Sequence, residues 1–238
     1  VDISPAFNGD VRGIYQQAYL SPRPQTVSAR IGSDGYAPWT YYAWDYQGPP
    51  AIDLANVPRL LDRDSRLRAP QGVPFAWRGQ GRNIAFTSLW DNWPHRVTVP
   101  VGRAAEAVWL LVCGSSNPMQ CGIENARLRM RYADGAEEDL ALVHPDNYWT
   151  LCPLNVRPPA PGDAALGDVA QGDYDYARDG FCLPHPPPLL VQLGGNCRAN
   201  LLGWALRPGV PLRSITLETM SAEVVVGLMG VTLMNPVV

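Results

Sequence analysis

Two short segments hold the side chains best suited to chemistry. Trp90-Asp91-Asn92-Trp93-Pro94-His95 sets two indoles, a carboxylate, an amide and an imidazole within six positions. His144-Pro145-Asp146-Asn147-Tyr148-Trp149 has a matching composition. An indole can stack on the apolar C–H face of a pyranose while Asp and Asn hydrogen-bond its hydroxyls, because Trp joins a flat apolar surface to a polar handle. Trp90, Asp91, Asn92, Trp93 and His95, with Asp146, Asn147, Tyr148 and Trp149, are therefore the candidate carbohydrate-binding residues. The competing account is structural. One indole fills a core and the Asp or Asn caps its own turn. A third aromatic group, Trp39, Tyr41, Tyr42 and Trp44, reads as a packing strand with aromatics on both faces.

Catalysis has weaker support. Glycoside hydrolysis needs two carboxylates at a set separation. Asp45, Asp91 and Asp146 neighbour aromatics and are the candidates, although nothing in their spacing selects them among 22 acidic residues. No GxSxG, HExxH or Cys–His signature appears. Asp173, Asp175 and Asp179, followed by Gly180, resemble a fragment of a calcium loop, with oxygen ligands at alternating positions. A structural calcium ion is the one cofactor these residues suggest, against the plainer reading of a solvated turn. Arg127, Arg129 and Arg131 could clasp an acidic glycan, or be neutralised by Glu137, Glu138 and Asp139 across a hairpin.

The composition narrows the setting. The net charge is -3 and all 19 basic residues are Arg. No overall field draws the chain to nucleic acid, and lysine Schiff-base and P-loop chemistry are excluded. The 24 Pro and 22 Gly are scattered between apolar runs, which favours many short strands. No apolar run is long enough to span a membrane as a helix. Five Cys form no CxxC and have no His at zinc spacing, which argues against a zinc site. The odd count leaves at least one thiol without a partner in the chain, and Cys182 with Cys197 could close a short loop in an exported protein. Residue 1 is Val with no visible signal peptide, which reads as a processed or cut product.

These side chains must be positioned by strands. Residues 83–89 are rich in β-formers, and residues 96–101 alternate with Val97, Val99 and Val101 on one face. Residues 107–113 form a run dense enough for burial on both faces. Residues 126–132 put Leu128, Met130 and Tyr132 on one side and three arginines on the other. Ala133-Asp134-Gly135 is a hairpin turn leading to a return strand over 138–143. Further strands are expected over 14–20, 26–31, 38–44, 189–193, 199–206, 212–218 and 223–233, the last as a central core strand. Residues 52–61 are expected to hold one helical turn with Asp53 as its cap, and residues 62–82 read as a charged, Gly-rich connection. The fold class is all-β, an antiparallel sandwich of jelly-roll type with long loops and little helix. It forms one domain over 1–238, with 1–25 as an N-terminal extension and 145–187 as a long irregular loop. A loop of that length is usually functional.

GVPF at 72–75, NIAFTSLWDNWPHRVTVPV at 83–101, LLVCGSSNPMQ at 110–120, RYADG at 131–135 and HPDNYW at 144–149 resemble a β-sandwich module of bacterial glycosidase-like proteins. LGGNCRANLLGWAL and ITLETMSAEVVVGLMGVTLM continue the likeness, which covers about two-thirds of the chain. That module looks like the one accompanying six-hairpin, (α/α)-barrel catalytic domains, and like carbohydrate-binding modules generally. The resemblance implies a secreted setting, extracellular or periplasmic, and a polysaccharide context with a separate catalytic domain as partner. It transfers no catalytic residue. The expected function is a non-catalytic carbohydrate-binding or accessory module. A polysaccharide-degrading glycoside hydrolase with paired carboxylates and a structural subunit of an extracellular or envelope assembly are the alternatives.

Overall fold

A computed structural model describes residues 1–14, 51–89, 93–115, 122–144, 146–151, 189–195, 197–222 and 224–235. Eleven strands occur among them: β1 (Leu67–Arg68), β2 (Pro74–Phe75), β3 (Ala85–Ser88), β4 (Arg96–Arg103), β5 (Ala107–Ser115), β6 (Glu124–Tyr132), β7 (Glu137–Val143), β8 (Leu190–Gln192), β9 (Arg198–Ala205), β10 (Leu212–Thr219) and β11 (Val225–Met234). The described α-helix is a single turn, α1 (Val57–Leu60). Every strand pairing is antiparallel. The chain is an all-β sandwich. One sheet has the order β4-β10-β6-β7 and the other β3-β11-β5-β9-β8, with β1 and β2 forming a small separate ribbon.

The two large sheets are buried differently, and the sequence pattern follows. In β6, Leu128, Met130 and Tyr132 are fully buried while Arg127, Arg129 and Arg131 point outward. This period-two alternation marks a sheet with one wet face. Val99, Leu142, Ile215 and Leu217 complete its inner face, packed against Val108, Leu110, Val112, Val226 and Val231 of the five-stranded sheet. That second sheet has no wet face at its centre. Leu111, Cys113, Val225 and Met229 point the other way, into an outer core made with Val11, Ile14, Val57, Leu67, Phe75, Trp77 and Ile84. Burial on both faces explains why β5 and β11 read as continuous apolar runs.

The first 14 residues belong to this packing. Ile3 is buried between the sheets, and Val11 and Ile14 in the outer core. Gly9 bridges Ile84, and the Asn8 amide grips β3 at its edge. Its Nδ2 donates to the Phe86 carbonyl and its Oδ1 accepts from the Phe86 N–H, at 2.9 and 2.8 Å. A side-chain amide thus does what another strand would do for an open edge.

Three details differ from the expectations. Residues 62–82 are not simply a connection, because the two-residue strands β1 and β2 pair within them. The helical turn is present, but Asp53 does not cap it. The N-cap is Asn56, without a side-chain bond, and Asp53 accepts from Ala55 N and Gly195 N instead. Glu138 does not pair with the arginines. It accepts from the Tyr132 hydroxyl at 2.7 Å and the Trp204 indole at 3.2 Å. The strands expected over 26–31 and 38–44, and nearly all of that over 14–20, lie outside the described residues.

Candidate functional site

Strand register fixes where the two aromatic–Asx segments emerge. Ser88, the last residue of β3, pairs with Val225, which pairs with Ser115 at the end of β5. Adjacent strands lie about 4.8 Å apart, so Ser88 and Ser115 are separated by about 10 Å across the sheet. The first segment leaves from Ser88. The second is fastened to Ser115 by the Tyr148 hydroxyl, which donates to its carbonyl at 3.3 Å. The other sheet ends here too. His95 O accepts from Thr219 N at the end of β10, and Asn125 O from Met220 N. A buried hydroxyl pair, Thr87 with Thr219 at 2.7 Å, joins the sheets at this level. The described residues of both segments, 93–95 and 144 with 146–149, therefore lie at one end of the sandwich, called here the loop end.

Of the first segment, Trp93 and His95 are described, whereas Trp90, Asp91 and Asn92 lie outside the described residues. Trp93 turns inward. Its ring sits 4.7 Å from that of Phe86 at 45° and packs on the outer core. Its Nε1 is buried with no acceptor among the described residues, as is Nδ2 of Asn83. His95 is exposed, and its backbone carbonyl is held by Thr219 N.

The second segment divides its side chains between core and solvent. Tyr148 is fully buried, and it fits because residue 114 is Gly. A Cβ there would collide with the Tyr148 hydroxyl and lie 2.7 Å from the Val225 carbonyl. Asn147 bonds β7 at its edge, accepting from Val143 N at 2.9 Å and donating to Ala141 O at 2.8 Å. Asn200 holds Trp149 by both backbone groups, at 2.7 and 2.9 Å. Trp149 is half-buried and edge-on to His144, ring centres 5.9 Å apart. Asp146 is exposed. Among the described candidates, His95, Asp146 and part of Trp149 reach solvent, while Tyr148, Asn147 and Trp93 are used in packing and edge bonding.

Asn200 and Asn125 are site-forming residues that pattern reading passed over. The available signal was a single amide inside an apolar strand, since a buried amide needs partners. The loop end also exposes aliphatic surface. Leu89, Ile123 and Met220 are 46%, 47% and 38% accessible, and each flanks a strand end there.

Asp53, Asp62, Asp134 and Asp139 are all held below the usual carboxylate range. Backbone N–H bonds are the main cause for the first three, and the Arg129 bond for Asp139. Of the catalytic candidates, Asp45 and Asp91 lie outside the described residues. So do Asp173, Asp175 and Asp179, the calcium candidates; no metal-holding cluster of His, Cys, Asp or Glu occurs among the described residues. The β6 arginines are engaged. Arg127 forks onto Glu124 at 2.7 Å twice, Arg129 onto Asp139 at 2.8 and 3.1 Å, and Arg131 pairs with Glu137. Cys113 is a buried thiol outside any disulfide. Cys197 Sγ accepts from Asp53 N at 3.3 Å, and Cys182 lies outside the described residues.

No protein-family model matches the chain, and no curated protein or solved structure matches it.

Proposed function

We propose that this chain is a non-catalytic carbohydrate-binding or accessory module of a glycoside hydrolase-like protein, and that it meets polysaccharide at the loop end. The observation that carries this reading is the placement of the described residues of both aromatic–Asx segments, Trp93 and His95 with Asp146 to Trp149, at that one end. Binding sites gather on loops held by a rigid scaffold, and β3, β5, β10 and β11 provide one. The strand order supports the jelly-roll assignment. With β8 set aside as an added edge strand, β3-β11-β5-β9 faces β4-β10-β6-β7, so that most successive strands alternate between the sheets, as two interleaved Greek keys do. A secreted location and an (α/α)-barrel partner belong to the same proposal and rest on the motif resemblance.

Binding is preferred to hydrolysis because nothing in the spacing of the candidate carboxylates selects the pair that hydrolysis needs. A neutral glycan is preferred to an acidic one because Arg127, Arg129 and Arg131 already hold carboxylates. A second reading, protein contact in an extracellular or envelope assembly, is favoured by one observation. Leu89, Ile123 and Met220 at the loop end are aliphatic, and aliphatic side chains suit protein surfaces better than sugar rings.

A glycan panel probed with the purified chain separates these readings. Binding predicts saturable tryptophan quenching, weakened in Asp146→Ala and His95→Ala while the melting temperature holds. Release of reducing ends from any bound polysaccharide would establish hydrolysis instead. A large oligomer indifferent to every glycan would support the assembly reading.

A further inference from the structure

We propose that Asn8 is a deamidation site, and that its conversion to a carboxylate releases residues 8–11 from the edge of β3. Asn8 is the chain's single Asn followed by Gly. An asparagine amide is lost when the next backbone nitrogen attacks the side-chain carbonyl carbon. Glycine is conformationally free and sets no Cβ in the way of that approach. The sequence marks this position for the reaction, and the fold decides when it can run.

Both reacting groups are tied to β3. The Asn8 side chain donates through Nδ2 to the Phe86 carbonyl at 2.9 Å and accepts at Oδ1 from the Phe86 N–H at 2.8 Å. Gly9 N donates to Ile84 O at 3.2 Å, and Asn8 N donates to the same carbonyl at 3.0 Å. Gly9 O accepts from Asn83 N and Ile84 N at 2.8 and 3.2 Å. Gly9 is buried, and a Cβ on it would lie 2.7 Å from the Phe86 ring and 3.0 Å from that of Trp93. The Gly9 nitrogen cannot swing onto the Asn8 side chain while these bonds hold. Ring closure therefore requires residues 8 and 9 to lift from β3 first.

In the lifted segment Gly9 N bonds to Cγ of Asn8 and the Cγ–Nδ2 bond breaks. Nδ2 departs as ammonia, taking the proton of the Gly9 N–H. Water then opens the cyclic imide at either carbonyl. One opening leaves an aspartyl group at position 8. The other leaves an isoaspartyl group, whose main chain is longer by one methylene. Neither product docks as Asn8 does. A carboxylate has no N–H for the Phe86 carbonyl and sets an oxygen against it, and an acceptor stripped of its donor is costly where water is excluded. The extra methylene moves Gly9 out of its place beside Ile84. Loss of ammonia makes the change one-way. It leaves open the stretch of β3 that Asn8 covers, and an open edge is a template for pairing with another chain.

Peptide mapping by mass spectrometry, on the full chain kept folded or held in urea, reads the reaction directly. In urea Asn8 should convert before every other Asn. In the folded chain its conversion should be at least about tenfold slower, because only the lifted fraction reacts. Amide exchange then reads the consequence. In Asn8→Asp, protection of the Gly9, Ile84 and Phe86 amides should fall at least about tenfold while β5 is unchanged. Should that variant fail to fold, the deamidated wild-type chain, separated by its extra negative charge, should show the same fall. Another Asn converting first in urea, equal rates at Asn8 in the folded and urea-held chains, unaltered edge protection in the modified chain, or loss of β5 protection together with the edge would each overturn the proposal.

Discussion

The two ends of the sandwich are built on opposite plans. At the end away from the loops, β4 and β5 are joined by three residues, and β6 and β7 by a tight turn in which Gly135 takes φ +89°. That end is locked by paired polar groups. Tyr132 is buried with its hydroxyl on Glu138, the Trp204 indole shares the same carboxylate oxygen, and Arg207 lies over the Tyr132 ring while bonding Asp134 at 2.7 Å. The loop end instead sends out long connections between β5 and β6 and between β7 and β8. It holds them with single amides and a buried imidazole, and it exposes aliphatic and aromatic surface. One end is closed with its described polar groups matched. The other leaves groups available to a partner, and the Trp93 indole there is buried without a described acceptor. A fold that makes one end rigid can leave the other free for recognition.

Substitutions can break this contrast, beginning with the largest effect. Gly114→Ala pushes a methyl group against the backbone at Val225 and into Tyr148. Neither can withdraw cheaply, so a loss of about 3 kcal/mol is expected, or roughly 10 °C in a thermal melt. A melt within a degree or two of wild type would mean that Tyr148 is not seated as described. At the closed end, Glu138→Ala strips two donors of their acceptor, and denaturant unfolding should register a loss of about 2 kcal/mol. Glycan binding at the far end should be unaffected.

The closed end also has its own pH signature. Burial and the neighbouring Glu138 push Tyr132 up to about 12. Its neutral form is favoured in the fold, so this contribution is complete below pH 10 and is lost as pH rises from about 10 to 12. Alkaline unfolding of wild type should show that loss, and Tyr132→Phe should flatten it. Asn147→Ala, which frees Val143 N and Ala141 O at the β7 edge, is expected to cost about 1 kcal/mol, with exchange increasing near the loop end alone. Smallest of all, Arg129→Ala removes an exposed ion pair and should change stability by about 0.5 kcal/mol or less. The change should vanish in high salt.

The local parts of the fold were legible in sequence. Alternation in 126–132 marked one wet face, and the apolar density of 107–113 and 223–233 marked strands buried on both. Strand limits agree within two residues because period-two patterning is set by each strand's own side chains. The outer layer was harder to read. β1 and β2 have two residues each, too short for any period, and Asp53 finds its partner at Gly195, 142 positions away. In the candidate site, composition identified the segments but not which way each side chain turns. Tyr148 goes inward because Gly114 leaves room, and Trp149 is held by Asn200 from another strand. Such long-range complementarity has no local signature.

The most direct test of the account is glycan titration of the folded chain with a tryptophan fluorescence readout, run in parallel on Asp146→Ala and Glu138→Ala. The account predicts saturable binding of a neutral polysaccharide, weakened about tenfold by the loop-end substitution and unaltered by the closed-end one. Binding lost equally in both, or no glycan bound by the wild-type chain, would contradict it.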